Sequence, residues 1–298
     1  MGRLLIYNER KITLDKIIIK THPKINISLD VLSKRPDGYH EVRMLMQSLA
    51  IYDSVSVELT NDGKISVGTN VSYLPNDKSN IAYKAAAFFI DYFNIKNTGV
   101  KMFIEKNIPV AAGMAGGSTN AAGVLKALNT LTGINCDEKT LMEIGVKVGA
   151  DVPYCIYGKT ALAEGLGEII TPVKQFPETV VCLAKPDASV STAEIFKSLN
   201  AKKIDAHPDT KGIISAIEEG DVYSVSKRMY NVLETVTVKK LPIINELKNV
   251  MLDFGAMGTI MTGSGPTVFG LFEDEKQAQK AADELSKYVS YTMVTKTI

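Results

Sequence analysis

The segment PVAAGMAGGST, residues 109–119, is built almost entirely of small residues and runs straight into an amphipathic stretch. It comprises Pro109, Val110, Ala111, Ala112, Gly113, Met114, Ala115, Gly116, Gly117, Ser118 and Thr119. Gly113, Gly116 and Gly117 can take backbone angles that a side chain forbids, so their amides can converge on one point. Beyond them Ala121, Val124, Leu125, Leu128 and Leu131 recur at helical spacing. Ser118 or Thr119 is placed to cap that helix, and Thr132-Gly133 to close it with a left-handed residue. Free amides at a helix N-terminus make an anion site, most often for phosphate. No lysine follows the glycines as GxxxxGK[ST] requires, and the G-x-x-G-G spacing is not GxGxxG. The alternative is a flexible turn before an ordinary helix.

Four other segments carry candidate chemistry. HPKIN (22–26) sets Lys24 between apolar strand positions, either as an exposed edge charge or as an aimed cation. RPDGYH (35–40) puts Tyr39 and His40 on a Pro-Asp-Gly turn. Asp151 stands in GADVP, just past a predicted helix end and two residues before a proline, where it reads in isolation as a turn aspartate. TGSGPTVF (262–269) offers Gly263, Ser264 and Gly265 in a second small-residue loop before a strand.

Strands and helices must interleave to bring these segments together. IIIK (17–20), INISLDVL (25–32), VRMLMQSLA and SVSVELT read as strands, with DGKISVGT as a hairpin partner after Asp62-Gly63. Asn80 opens a helix, strand 100–105 leads into the glycine loop, and a helix over 138–148 ends at Gly149. GADVPYCIYG (149–158) reads as a loop, TALAEGLGE (160–168) as a strand and turn, and TVVCLAKP (179–186) as a strand. Thereafter AEIFKSLN, KGIISAIEEG, VYSVSKRMYNVLE, IINELKNVMLDF and KQAQKAADELSKYV read as helices among short strands. A second α/β layer is predicted to begin around 165–175. The class is α+β in two domains, 1–168 and 169–298, with 1–16 as an extension or added edge strand.

The 298 residues are 45% apolar and 22% charged with a net charge of +1, which offers no global field for nucleic acid or an anionic membrane. No apolar run reaches the length of a membrane span, and the N-terminus lacks a signal-peptide core, so the protein reads as cytoplasmic. The three cysteines and three histidines show no metal-ligand spacing.

The order P-K-I-N, R-P-D-G-Y-H, P-x-x-x-G-[LM]-A-G-G-S, G-A-D-V-P and a late G-S-G-P resembles the GHMP kinase superfamily. PKIN followed by RPDGYHEV is similar to its branch that phosphorylates 4-diphosphocytidyl-2-C-methyl-D-erythritol, in the methylerythritol phosphate route to isoprenoid precursors. The resemblance covers about residues 17 to 298 and implies a ribosomal-protein-like N-terminal domain, a ferredoxin-like C-terminal domain, and an ATP- and magnesium-dependent phosphoryl transfer to a hydroxyl. It implies a small-molecule substrate, a cytidyl diphosphate sugar alcohol, and a monomer or homodimer.

By the same resemblance Asp151 is the catalytic base and Lys24 its partner. A carboxylate within reach of an alcohol can take its proton as attack proceeds, and a neighbouring lysine keeps the carboxylate ionised. Loop 109–119 wraps the triphosphate, with Asn80 and Lys106 nearby. Tyr39 stacks on the cytosine, Phe196 sandwiches it and His40 hydrogen-bonds it. Asn26 and Thr192 are further substrate contacts, and Gly263, Ser264 and Gly265 border the substrate diphosphate. Relatives carry glycines where this chain has Ala111, Ala112 and Ala115, which predicts a stiffer loop. They often have a small residue where His22 stands, and no carboxylate for magnesium stands out. A non-catalytic ATP or sugar sensor of the same fold is the rival reading, which retention of Lys24 and Asp151 disfavours.

Overall fold

The computed structural model describes residues 16–298. The predicted extension lies outside the described residues except for Lys16, which begins the first strand. The chain runs β1 (Lys16–Thr21), β2 (Lys24–Lys34), β3 (His40–Ser48), β4 (Asp53–Thr60), β5 (Ile65–Thr69), α1 (Ile81–Tyr92), β6 (Gly99–Glu105), α2 (Gly116–Leu131), α3 (Glu138–Val148), α4 (Val152–Tyr157), β7 (Thr160–Gly165) and β8 (Ile169–Pro172). It continues through β9 (Val180–Lys185), α5 (Thr192–Ser198), α6 (Thr210–Glu219), α7 (Val222–Arg228), β10 (Tyr230–Asn231), α8 (Glu234–Lys240), α9 (Ile243–Asp253), β11 (Gly258–Met261), β12 (Val268–Phe272), α10 (Glu275–Leu285) and β13 (Tyr291–Lys296). No helix among the described residues is long and apolar enough to cross a membrane.

Three sheets result. The first has the order β1-β4-β6-β5, the second β10-β2-β3-β7-β8, and the third β11-β12-β9-β13. β4 alternates buried valines with part-exposed serines, because only one of its faces is covered. That face packs Val55 and Val57 against Phe89 of α1 and Leu125 of α2. β2 is instead buried along its first eight residues. One of its faces, with Ile25, Ile27 and Leu45, meets Leu183, Phe269 and Leu271 of the third sheet. The other, with Leu29 and Met44, belongs to a core that reaches Leu247 and Met251 of α9. β2 is therefore the shared wall of the molecule, and Lys24 stands at its first residue.

Most predicted elements are present, and four readings need correction. DGKISVGT is not a hairpin partner of β4: β6 inserts between them, antiparallel to β4 and parallel to β5. The loop after β4 arches over the first residue of β6, where a Cβ on Gly99 would come within 2.2 Å of the side-chain oxygens of Thr60 and Asp62. Residues 149–158 are not all loop. Val152, Pro153, Tyr154 and Ile156 are buried and wind into α4, with Pro153 in its first turn, where its missing N–H costs nothing. VYSVSKRMYNVLE is not one helix. It breaks at Met229 so that Tyr230 and Asn231 can pair in parallel with Ser28 and Leu29. Finally, neither Ser118 nor Thr119 caps α2. The helix starts earlier, behind Ala115 in a left-handed conformation (φ 58°, ψ 27°), and no side chain caps it.

The predicted second layer takes shape with β9, since β8 pairs back onto β7. The expected close of α2 is present, with Gly133 at φ 69°. His22, unexplained in the sequence, lies with Nδ1 3.0 and 3.1 Å from the carbonyl oxygens of Leu49 and Ile51, and so holds the β1–β2 turn to the strand end opposite.

Candidate active site

β6 delivers the chain to loop 106–115 and α2 carries it away, so the loop sits where a strand end meets a helix start. The first four N–H groups of an α-helix have no intrahelical acceptor, and here no side chain supplies one. Thr119, expected to cap, turns its hydroxyl to the His22 carbonyl at 2.6 Å. The amides of the first turn are left open toward a cavity of about 580 Å³. Gly116, Gly117 and Ser118 line it together with Pro109, Val110, Ala111, Ala112, Gly113 and Ala115. Met114, turned into the interior, and Thr119, on the other side of the helix, do not. Three residues of the loop hold positive φ: Ala111 at 51°, Gly113 at 72° and Ala115 at 58°. Two alanines thus occupy a conformation that costs a side chain about 1–2 kcal/mol.

The loop is held in place from β2. The backbone N–H of Lys24 donates to the Met114 carbonyl at 3.1 Å, and its Nζ donates to the Gly113 carbonyl at 3.1 Å and to Asn26 Oδ1 at 2.7 Å. Lys24 is buried yet lines the cavity, so it is an aimed cation and not an edge charge. Asn26 is fully buried and does not reach the cavity wall. Its backbone N–H donates to Thr262 Oγ at 3.1 Å, which ties the strand to the second small-residue loop.

Asp151 stands at the N-terminal end of α4, half-buried, on the wall of the same cavity. Its carboxylate makes no cap bond, and no hydrogen bond or ion pair to it exists among the described residues. The expected contact with Lys24 is absent, since the Lys24 ammonium is turned to Asn26 and Gly113. The two charges still share a neighbourhood. Burial pushes the Cys155 thiol far up, the Asp151 charge pushes it further, and the Lys24 charge opposes them. Among the described residues Asp151 is the one carboxylate on the cavity wall.

Lys106 lines the cavity while its ammonium pairs with Asp53 and donates to Asn120 Oδ1 at 3.0 Å. Asp53 is fully buried and also accepts from the backbone N–H groups of Asn107 and Ile108 and from Asn120 Nδ2. A Cβ on Gly116 would stand 3.2 Å from Lys106 Nζ, which puts the lysine beside the open helix end. Asn80 also lines the cavity, but its side chain is spent on structure: it caps α1 through Ala82 N–H and donates to the Pro75 carbonyl.

At the other end of the cavity Phe196 lies 5.2 Å from the His40 ring, centroid to centroid. Thr192 and Ser264 share a 2.8 Å hydrogen bond, and both line the cavity beside Gly263. Gly265 lies behind them, followed by a cis bond to Pro266. Tyr39 is 65% exposed and outside the wall; its turn is braced by Arg35, whose guanidinium pairs with Asp37 and Glu41. Burial, with help from Lys34, holds the His40 imidazole below its ordinary pKa.

Comparison with known proteins gives this geometry a family. The model of the GHMP kinases N terminal domain matches residues 80–159, and that of the GHMP kinases C terminal matches residues 213–290. The chain belongs to the GHMP kinase family. It is similar to 4-diphosphocytidyl-2-C-methyl-D-erythritol kinase of Clostridium perfringens, 51% identical over 94% of this chain and 98% of that protein. The protein of the same name from Caldicellulosiruptor saccharolyticus is 46% identical over 94% of this chain and 97% of its own length. A crystal structure of 4-(cytidine 5'-diphospho)-2C-methyl-D-erythritol kinase superposes with a TM-score of 0.79 at 29% identity, over 94% of this chain and 99% of that one. Homoserine kinase from Cytophaga hutchinsonii superposes with a TM-score of 0.78 at 20% identity, over 99% and 97% of the two chains, which shows the shared fold.

A GHMP kinase uses ATP, whose phosphates are anions. An uncapped helix end, glycines without room for a Cβ, and Lys106 beside them suit an anion. In this GHMP kinase the first helical turn bears no acidic residue that would repel it. Asp53, Asn120 and Thr262 escape sequence reasoning, because their partners are far off in the chain; Thr262 opens the TGSGPTVF segment, but nothing there signals its bond with Asn26.

Proposed function

We infer that this chain transfers the γ-phosphoryl group of ATP to the 2-hydroxyl of 4-diphosphocytidyl-2-C-methyl-D-erythritol, in the methylerythritol phosphate route to isoprenoid precursors. The observation that carries the reading is that Lys24, Asp151 and the uncapped start of α2 line one cavity. The relatives bearing that substrate's name match nearly the whole chain.

The chemistry follows from the placement. The acceptor oxygen attacks the γ-phosphorus, the bond to the β-phosphate oxygen breaks, and ADP leaves with that electron pair. Asp151 takes the hydroxyl proton, which is worth typically ~10²–10⁴-fold in rate. The α2 amides and Lys106 hold the triphosphate, and Lys24 offsets charge on the group in flight. Lys24 reaches that position by leaving Asn26 or Gly113, both of which are neutral partners. His40 and Phe196 receive the cytosine, with Tyr39 closing on it from the turn, while Thr192 and the Gly263–Gly265 loop meet the sugar alcohol and its diphosphate. Asn26 acts through Lys24, because it is buried away from the wall.

Magnesium takes oxygen ligands, usually one or two carboxylates beside phosphate oxygens. No cluster of three His, Cys, Asp or Glu side chains suited to a metal exists among the described residues. The wall therefore fits an ion carried in on the triphosphate and held by its phosphate oxygens and water, where it would neutralise phosphate charge. The division into 1–168 and 169–298 belongs to the same proposal. β8 and β10 hydrogen-bond into the sheet of the first part, so the two parts share a sheet and not merely a linker.

The test is ADP release by the purified protein with the cytidyl substrate, homoserine and mevalonate offered separately. Turnover confined to the cytidyl substrate supports the reading. Silence with it, and turnover with either of the others, assigns the chain to a sibling activity.

A further inference from the structure

A second cavity, of about 410 Å³, opens elsewhere on the same helix, and Lys24, Asp151 and the glycines of loop 109–117 take no part in it. Thr119, Gly123 and Lys126 of α2 form one of its walls at i, i+4 and i+7, a single helical stripe. Thr21 and His22 at the end of β1 face that stripe. A Cβ on Gly123 would come within 2.4 Å of Thr21 Cγ2, so the glycine keeps this side of the helix low. Cys155 of α4 and the segment Tyr157–Lys159 complete the enclosure.

The side-chain charge on this wall is predominantly positive. Lys20, Lys126 and Lys159 line the cavity, and among the described residues no Asp or Glu side chain does; the terminal carboxylate of Ile298 is the negative group at its edge, and it accepts from Gln47. Lys20 and Lys159 are exposed, and the Lys20 ammonium rests over the Tyr52 ring at 4.2 Å. Lys126 is different. It is partly buried, and its ammonium has no hydrogen bond or ion pair among the described residues. Burial pulls its pKa down, and the more distant Glu138 only partly restores it. A desolvated ammonium without an acceptor costs free energy that a bound anion returns. Lysine is a good point-charge partner for phosphate, and three ammonium groups around one cavity suit a multiply charged group. Ser48, His22 and Gln175 add further polar groups to the wall, and Ile19, Tyr157 and the Ile298 side chain add apolar surface.

We propose that this second cavity is a binding site for a small phosphate-bearing molecule, held by Lys126 with the exposed Lys20 and Lys159 in support. The site is separate from the triphosphate cradle, so it can be read with the cradle filled.

Isothermal titration of the intact protein, saturated with magnesium and a non-hydrolysable ATP analogue, tests it with two probes, inorganic phosphate and glycerol 3-phosphate. Binding of either probe is expected, weakened by about tenfold or more in Lys126→Met, as loss of a charged hydrogen bond implies. Lys126→Arg, which keeps the charge, is expected to restore most of that affinity. Tighter binding of glycerol 3-phosphate than of phosphate assigns the apolar wall to the ester's organic part, whereas equal binding assigns the site to the phosphate group alone. Absence of heat with both probes, or binding that Lys126→Met leaves unchanged, overturns the proposal. The affinity of Lys126→Met for the ATP analogue, expected to equal that of the wild type, separates loss of this site from loss of the fold.

Discussion

Gly113 and Gly263 meet backbone to backbone. A Cβ on Gly113 would come within 2.4 Å of the Thr262 carbonyl oxygen, and one on Gly263 within 2.7 Å of the Gly113 carbonyl oxygen. Both residues hold positive φ, 72° and 59°. The phosphate loop and the late G-S-G-P loop therefore lock across the site, and the Gly113 carbonyl that takes part also accepts from Lys24 Nζ. Gly113→Ala adds left-handed strain of about 1–2 kcal/mol and forces the loops apart. Displacements of about 1 Å near reacting groups cost on the order of 10²-fold, so kcat/KM in the ADP-release assay is expected to fall at least that far. Gly133→Ala is the control. It carries a similar φ of 69° with open space around it, so it should lose stability alone and keep its kinetics.

Asp151→Asn separates chemistry from binding. The Asp151 side chain caps nothing, so the amide should leave stability and ATP affinity close to the wild type. Turnover is expected to drop at least about a hundredfold, with the KM for ATP little changed. A variant as active as the wild type removes Asp151 from the mechanism.

Asp53→Asn probes the buried support beneath the phosphate cradle. The carboxylate is fully buried, pairs with Lys106, and accepts from Asn107, Ile108 and Asn120. Removing one partner of a buried pair leaves an uncompensated charge and costs about 3–5 kcal/mol. Urea denaturation should report that loss. Adding Lys106→Met should recover part of it, since the stranded charge is then gone as well. Strictly additive losses would show that the two residues act independently.

His40 sets a pH dependence. Burial first, and Lys34 second, hold its folded-state pKa below the ordinary value of 6.5. The unfolded chain then binds a proton more readily than the folded one between those two values. Its contribution to stability is intact above pH 6.5, falls as the pH drops toward the folded-state value, and is constant below it. His40→Gln should flatten this part of the stability-against-pH curve. A wild-type curve that runs parallel to that of His40→Gln through the window would show that the imidazole is not held neutral. The same neutral ring can both donate and accept, which suits recognition of a cytosine edge.

Local signals were readable in the sequence, and long-range ones were not. Periodicity predicted α2 and α3 because their buried faces, Val124, Leu125 and Leu128 in one and Leu141 and Ile144 in the other, recur at helical spacing. The glycine loop, Lys24 and Asp151 were legible as residue types in short motifs, and all three meet at one cavity. The hairpin after β4 was misread because the sequence carries a turn signal but no sign that a strand some forty residues on will slide between the two arms. The cap of α2 was misread for a related reason. Serine and threonine are good caps in general, but here the chain uses an uncapped end and gives the Thr119 hydroxyl to His22 instead. Asp53 reads as an ordinary strand-start aspartate until Lys106 is folded against it.

Ala115→Gly asks whether the alanine-rich loop is strained. Glycine in place of alanine normally destabilises, by about 0.5–1 kcal/mol in a helix, because the unfolded chain gains freedom. Ala115 precedes α2 at φ 58°, where alanine itself loses about 1–2 kcal/mol relative to glycine. The second effect exceeds the first, so Ala115→Gly is expected to be neutral or stabilising by up to about 1 kcal/mol in urea denaturation. Ala121→Gly, inside the same helix and fully buried, has no strain to release and should cost about 1 kcal/mol or more. Equal losses in the two variants would mean that the loop relaxes around Ala115 without strain, and the stiffness assigned to it would then have another source.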